Sequence, residues 1–185
     1  MRPLVLASRS PQRRAILEQL GISFEISVSD VEEAEEGPPY DVALENAYRK
    51  AAAVAAERED ALVLGVDTVV SLGSRLYGKP QSAEDARTTL TALSGRRHAV
   101  ISGVCLIDAE RGTRTAATQT LVDFRALDAS VLDWYLSSEE WRGRAGGYAI
   151  QGRGAALVAA IDGDYFNVVG LPVVTLLELV PELIG

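Results

Sequence analysis

The sequence predicts an α/β fold, a mixed β-sheet flanked by helices, and three observations predict it. Strand-length apolar runs are interspersed with stretches of helical period along the 185 residues. Good capping residues mark the helix ends. Two strand-like segments follow one another in mid-chain with no helix between them, so a purely parallel, doubly wound sheet does not fit. The length suits one domain spanning 1–185, with two lobes around a cleft.

The elements follow in order. PLVLA (3–7) is of strand length. Ser10 as N-cap, Pro11 at the first helical position and Gly21 past the end frame a helix over 11–21. Residues 22–28 alternate as a strand, and 29–41 form an acidic loop closed by two prolines. Residues 41–60 give the strongest helix, with apolar positions at Val42, Leu44, Ala47, Tyr48, Ala51, Ala52 and Val54. Residues 61–73 read as a buried strand interrupted at Asp67. Ser82 and Asp85 form a capping-box signal for a helix to Leu93. Segments 98–108 and 118–127 are strands separated by a polar turn. Asp128 caps a helix over 129–138, whose Trp134, Tyr135 and Leu136 are expected in the core. A Gly-rich loop covers 143–154. Residues 156–170 read as two strands around Asp162-Gly163-Asp164, a hairpin signal. A helix with Pro172 at its start closes the chain.

Eighteen basic and 26 acidic residues give a net charge of −8. Such a chain has no general electrostatic footprint for nucleic acid or an anionic membrane. A polyanionic ligand would need locally gathered cations or a metal. Cys105 and His98 are the only residues of their types, which excludes an intrachain disulfide and zinc-finger or His-rich sites, and suits a reducing, cytoplasmic setting. No stretch approaches the ~18 apolar residues of a membrane span. The run Pro3–Ala7 is far too short for a signal-peptide core.

Several residues could carry chemistry. The first strand leads into a helix N-terminus surrounded by Ser8, Ser10 and Arg13, and such a terminus suits an anion as well as it suits an ordinary capped surface helix. Sixteen of the eighteen basic residues are arginine; only Lys50 and Lys79 are lysine. Either codon usage left two survivors, or lysine is kept where a compact ammonium is required. GSRLYGKP (73–80) resembles a P-loop, but Pro80 replaces the magnesium-binding hydroxyl and bars the helix that a P-loop lysine begins. Lys79 is therefore expected on a tight turn, able to point into a cleft. Asp67 within LVLGVDTVV is costly unless paired, metal-bound or at a cleft edge. The acidic run Glu32, Glu33, Glu35 and Glu36 could contribute one or two carboxylates to a magnesium site. His98 is expected within a strand pairing or at the surface.

LASRSPQRR (6–14), GVDTVV (65–70), YGKP (77–80), LSGRRHAVISGV (93–104), AGGYAIQGRGA (145–155) and GDYFNVVGLP (163–172) together resemble the Maf family, in that order and over nearly the whole chain. The resemblance implies a mixed α/β sheet with a deep cleft, like that of inosine triphosphate pyrophosphatases. It implies a nucleoside triphosphate pyrophosphatase that cleaves between the α and β phosphates with a divalent cation, Mg2+ or Mn2+. On the family pattern Ser8, Ser10, Arg13 and Lys50 bind phosphate. Asp67 is the general base, Glu33 a metal or water-activating carboxylate, and Lys79 a catalytic and phosphate-binding cation. Glu33 and Asp67 would hold the metal. Gln12, Thr68 and Gln151 fall on positions tied to base choice. Asp67-Thr68 and Ile150-Gln151-Gly152 match the subgroup that prefers dTTP and UTP. A neutral amide such as Gln151 can donate and accept, which suits a uracil or thymine edge.

Two positions depart from the family pattern: Gln12 stands where an arginine is usual, and Arg49 where a glutamate is common. The first bears on base choice and the second on metal or phosphate contacts. The expected partner is a small nucleotide, with no nucleic acid and no membrane, in a homodimer. The rival readings are a 7-methyl-GTP pyrophosphatase and a non-catalytic, nucleotide-binding regulator of septum formation.

Overall fold

The computed structural model describes residues 2–28 and 30–184. Ser29 at the start of the acidic loop, Met1 and Gly185 lie outside them. Seven strands form one sheet: β1 (Leu4–Leu6), β2 (Phe24–Ile26), β3 (Leu62–Leu72), β4 (Arg75–Tyr77), β5 (Arg97–Asp108), β6 (Gly112–Phe124) and β7 (Val158–Asp162). Their order is β2-β1-β3-β5-β6-β7, and β4 pairs with the far end of β3. β1 runs parallel to β2 and β3; every other pairing is antiparallel. Helices α1 (Pro11–Gln19), α2 (Pro39–Ala55), α3 (Ala83–Leu93), α4 (Ala129–Leu136), α5 (Tyr165–Val169) and α6 (Val173–Leu179) flank it. None of the described helices is long and apolar enough to cross a membrane.

The register opens the cleft. β1 pairs with β3 only from Leu62 to Leu64, and β4 only from Val70 to Leu72. Residues 65–69 of β3 have a strand neighbour on the β5 side alone. Along one face, Val66 and Val104 belong to an apolar cluster with α1 and α6, whereas Val70 and Val100 belong to another with α3 and α4. Between them the facing positions Thr68, Ser102 and Thr118 are polar. This polar belt divides the two apolar clusters.

On the opposite face α2 lies directly on the strands. A Cβ at Gly65 would sit 2.1 Å from the Ala47 carbonyl oxygen, and one at Gly103 2.3 Å from that of Ala43. Only glycine permits this approach, and the small residues Ala43, Ala47 and Ala51 complete it. Asp67 shares a face with Gly65, two residues away, so the same contact brings α2 over Asp67.

Three expectations are corrected. β6 begins at Gly112, not 118, because Asp108 accepts hydrogen bonds from the amides of Glu110 and Arg111 at 2.8 and 3.1 Å and closes a tight turn. Residues 163–170 form no second strand. Asp164 caps the Phe166 amide at 2.7 Å, starting α5, and buried Asn167 ties that helix to the Val100 carbonyl and the Thr120 hydroxyl, each at 3.0 Å. Trp134 is exposed, while Tyr135 and Leu136 are buried.

Candidate active site

A cleft of about 640 Å³ opens at the unpaired stretch of β3, between α2, the start of α1 and the loop 142–151. The ten residues that the family pattern assigns to the site, Ser8, Ser10, Gln12, Arg13, Glu33, Lys50, Asp67, Thr68, Lys79 and Gln151, line it, whereas Glu32, Glu35 and Glu36 of the acidic run do not.

Its centre is a chain of alternating charges. Asp67 Oδ1 accepts a 2.6 Å hydrogen bond from Lys50 Nζ, which also lies 2.8 Å from Glu33 Oε1. Glu33 Oε2 is 3.6 Å from Lys79 Nζ. Asp67 and Lys50 are nearly buried, and Lys79 is about half exposed. Burial alone would raise the Glu33 carboxyl, but the Lys50 hydrogen bond and the charges of Lys50, Lys79 and Arg13 outweigh it and hold it below the usual range.

Asn46, one helical turn before Lys50 on α2, carries no signal that singled it out. Its Nδ2 donates to Asp67 Oδ2 at 3.1 Å and to the Ala34 carbonyl at 3.0 Å, while its Oδ1 accepts from the Ala34 amide at 2.7 Å. One buried amide thus fixes both Asp67 and the loop that carries Glu33. The sequence shows only that Asn46 lies four residues before Lys50, on the same side of the helix.

The helix start is built around Arg13, which is buried and gives no ion pair among the described residues. It donates to the Gly170 carbonyl at 2.8 Å, Ser8 Oγ at 2.9 Å and Thr68 Oγ1 at 3.1 Å. Burial lowers its pKa, opposed by the fields of Asp67 and Glu33. Ser8 Oγ also accepts from the Ser10 amide at 3.2 Å, and Thr68 shares a 2.8 Å hydrogen bond with Ser102. Ser10 Oγ donates to Gln12 Oε1 at 3.1 Å. By contrast, Arg14 pairs with Glu18 on the exposed side of α1. Arg49 does not line the cleft: it pairs with Glu45 at 2.7 Å and donates to the Glu32 carbonyl at 3.0 Å, bracing the acidic loop.

The loop wall contributes Arg142, Arg144, Tyr148 and Gln151. Arg144 is half-buried, its Nε is buried without a partner, and burial lowers its pKa. Tyr148 roots the loop: its hydroxyl meets His98 Nε2 at 2.8 Å, and both rings pack against Phe124. His98 is therefore a buried anchor and not a surface residue; burial pushes its pKa down to about 4.

No group of three or more His, Cys, Asp or Glu side chains converges among the described residues. The protein would offer a metal two carboxylates, Asp67 and Glu33, already close enough to share one ammonium. Hard divalent cations take oxygen ligands and, in such sites, complete their shell with phosphate and water, so this donor pair fits one.

A family model for Maf-like proteins matches residues 3–183, and the chain belongs to the Maf family. It is 41% identical to the dTTP/UTP pyrophosphatase of Pyrococcus furiosus over 97% of this chain and 95% of that one. It is 47% identical to the dTTP/UTP pyrophosphatase of Moorella thermoacetica, over 97% of this chain and 94% of that one. Among solved structures, the Ham1 protein of Staphylococcus aureus shares the fold at a TM-score of 0.50 and 17% identity, over 66% of this chain and 72% of that one.

Proposed function

We propose that the protein hydrolyses dTTP, UTP and related pyrimidine nucleoside triphosphates between the α and β phosphates, yielding the monophosphate and pyrophosphate. The observation that carries this reading is the cleft itself. A chain of net charge −8 gathers both its lysines and a buried arginine there, around two carboxylates. The overall field repels a triphosphate, so these local cations must supply its binding. The relatives named dTTP/UTP pyrophosphatase, and the presence of Thr68 and Gln151 in the cleft, support the pyrimidine assignment.

In this reading Asp67, held by Lys50 and Asn46, orients the attacking water and takes its proton. Glu33 and Asp67 would hold a Mg2+ or Mn2+ ion, which when bound neutralises phosphate oxygens at the reacting phosphorus. Lys50, Lys79 and Arg13 stabilise the charge that develops on the pyrophosphate leaving group. Ser8 and Ser10 present hydroxyls and amides at the start of α1 to the phosphates. Gln12, Thr68 and Gln151 face the base. A cytoplasmic homodimer that clears surplus or non-standard pyrimidine triphosphates completes the proposal.

The test is pyrophosphate release from dTTP, UTP, CTP, GTP and 7-methyl-GTP, with and without Mg2+ and Mn2+. The expected result is metal-dependent release that is fastest with dTTP and UTP. Fastest release from 7-methyl-GTP would install that alternative instead. Nucleotide binding without turnover of any member would favour the regulator.

A further inference from the structure

We propose that Glu140 is a positioning residue for base selection, which clamps the backbone of residues 152–154 and thereby fixes Gln151. The proposal rests on the reading of Gln151 as the residue that meets the base.

Glu140 follows α4 and belongs to none of the catalytic groups. Its carboxylate has no salt bridge among the described residues. Instead, Oε1 accepts from the Arg153 amide at 3.1 Å and Oε2 from the Gly154 amide at 3.2 Å. A carboxylate spanning two successive amides makes charge-assisted bonds, stronger than neutral ones. Gly152 makes room for it: with φ at +64°, a Cβ there would stand 2.8 Å from Glu140 Oε1.

Arg153 turns its side chain the other way. It donates to the Trp134 carbonyl at 3.0 Å and Ser137 Oγ at 3.2 Å, and its guanidinium lies 5.2 Å from the centre of the Trp134 ring. Trp134 thus stays at the surface as a seat for Arg153. The segment 152–154 is fastened to α4 and the turn after it at both the backbone and the side-chain level. On the other side of Gln151, Ile150 is buried. Gln151 itself is exposed, lines the cleft, and has no hydrogen-bond partner among the described residues. A rigid backbone carrying an unpaired amide is what selective recognition needs, because the supporting contacts set where the amide points.

The test compares Glu140→Ala, Glu140→Gln and Gln151→Ala by kcat and KM for UTP and GTP, by affinity for inorganic pyrophosphate, and by melting temperature. Gln151→Ala and Glu140→Ala are both expected to cut the UTP-to-GTP ratio of kcat/KM about tenfold, the worth of one good hydrogen bond. The change should enter through KM, with pyrophosphate affinity held within about twofold, since no phosphate-binding group is touched. Glu140→Gln keeps one acceptor oxygen but turns an NH2 toward the other amide, so its ratio should fall between Glu140→Ala and the unaltered protein. A ratio that moves in Gln151→Ala but not in Glu140→Ala, whatever the melting temperature does, overturns the clamp and leaves the base reading standing. A ratio unmoved in Gln151→Ala removes the base reading and the clamp with it. Should Glu140→Ala fail to fold, an unchanged ratio in Glu140→Gln overturns the proposal.

Discussion

On the α2–β3 wall of the cleft, Asp67, Lys50, Asn46 and Glu33 are bonded to one another. On the opposite wall, the side chains of Arg144 and Gln151 have no hydrogen-bond partner among the described residues. Apart from Glu33 on the acidic loop, the first wall stands on regular structure, a helix pressed against two strands at Gly65 and Gly103. The second is a loop rooted through Tyr148 and clamped through Glu140. On the proposed function, the difference is one of labour. Groups that must be aimed at the reacting phosphorus are aimed beforehand by their neighbours, which is how preorganised electrostatics lowers a barrier. The buried, unpaired Arg144 Nε carries a desolvation cost that a ligand can relieve, while the exposed Gln151 amide is free to meet one.

Breaking the first wall should have the largest effect. Asp67→Asn keeps the shape but removes the charge and the base, so turnover should fall by at least ~10²-fold. An amide offers one acceptor oxygen where the carboxylate offered two, so its NH2 would face a donor, either Asn46 Nδ2 or Lys50 Nζ, and a stability loss of about 1–3 kcal/mol should accompany the change. Lys50 keeps Glu33 as a partner, and the fold should persist. Rate and melting temperature measured on one preparation separate the two effects: full activity in a folded variant would remove Asp67 from the mechanism.

Arg144→Ala probes the second wall. Loss of this unpaired cation from the cleft wall should raise KM for UTP about tenfold, with kcat changed by less than about threefold. Arg144→Lys should recover part of it. A kcat loss at unchanged KM would move Arg144 to the chemical side of the cleft.

The smallest effect lies beneath the loop. His98 has its pKa pushed to about 4 from an ordinary 6.5 by burial. Below 6.5 the unfolded chain binds a proton that the folded protein refuses, so His98 favours the fold above pH 6.5. That contribution is lost as pH falls toward 4, in total about 3 kcal/mol. Melting temperature should drop across that window, and His98→Gln should flatten the drop. An equal slope in both proteins would contradict the assignment.

The sequence made the first wall more legible than the second. Ser10, Pro11 and the apolar run before them mark the β1–α1 unit by local chemistry alone, and Asp67 announces itself as a charge in an apolar strand. Asn46 was silent because its value lies in partners 12 and 21 residues away. Gly163 and its flanking aspartates read as a hairpin, yet Asp164 caps a helix. The local signal is the same for both, and the choice was made by Asn167 finding acceptors on distant strands. Trp134 is expected in the core beside Tyr135 and Leu136, but it lies at the surface, where Arg153 covers its ring. Thr113 to Ala117 read as a turn because one side of that strand faces solvent, although β-branched threonines favour strands.

The division between the walls is tested most directly by kcat and KM for UTP and GTP in Asn46→Ala and Gln151→Glu, measured side by side. Asn46 touches only the chemical wall, so its loss should lower kcat for both nucleotides by the same factor, about tenfold or more, and leave their ratio unchanged. Gln151→Glu removes the donor to the pyrimidine carbonyls and should shift the ratio away from UTP about tenfold, or ~1.4 kcal/mol, with kcat on the better base preserved. A ratio that moves in Asn46→Ala, or an equal loss on both nucleotides in Gln151→Glu, would contradict the separation of chemistry from recognition across this cleft.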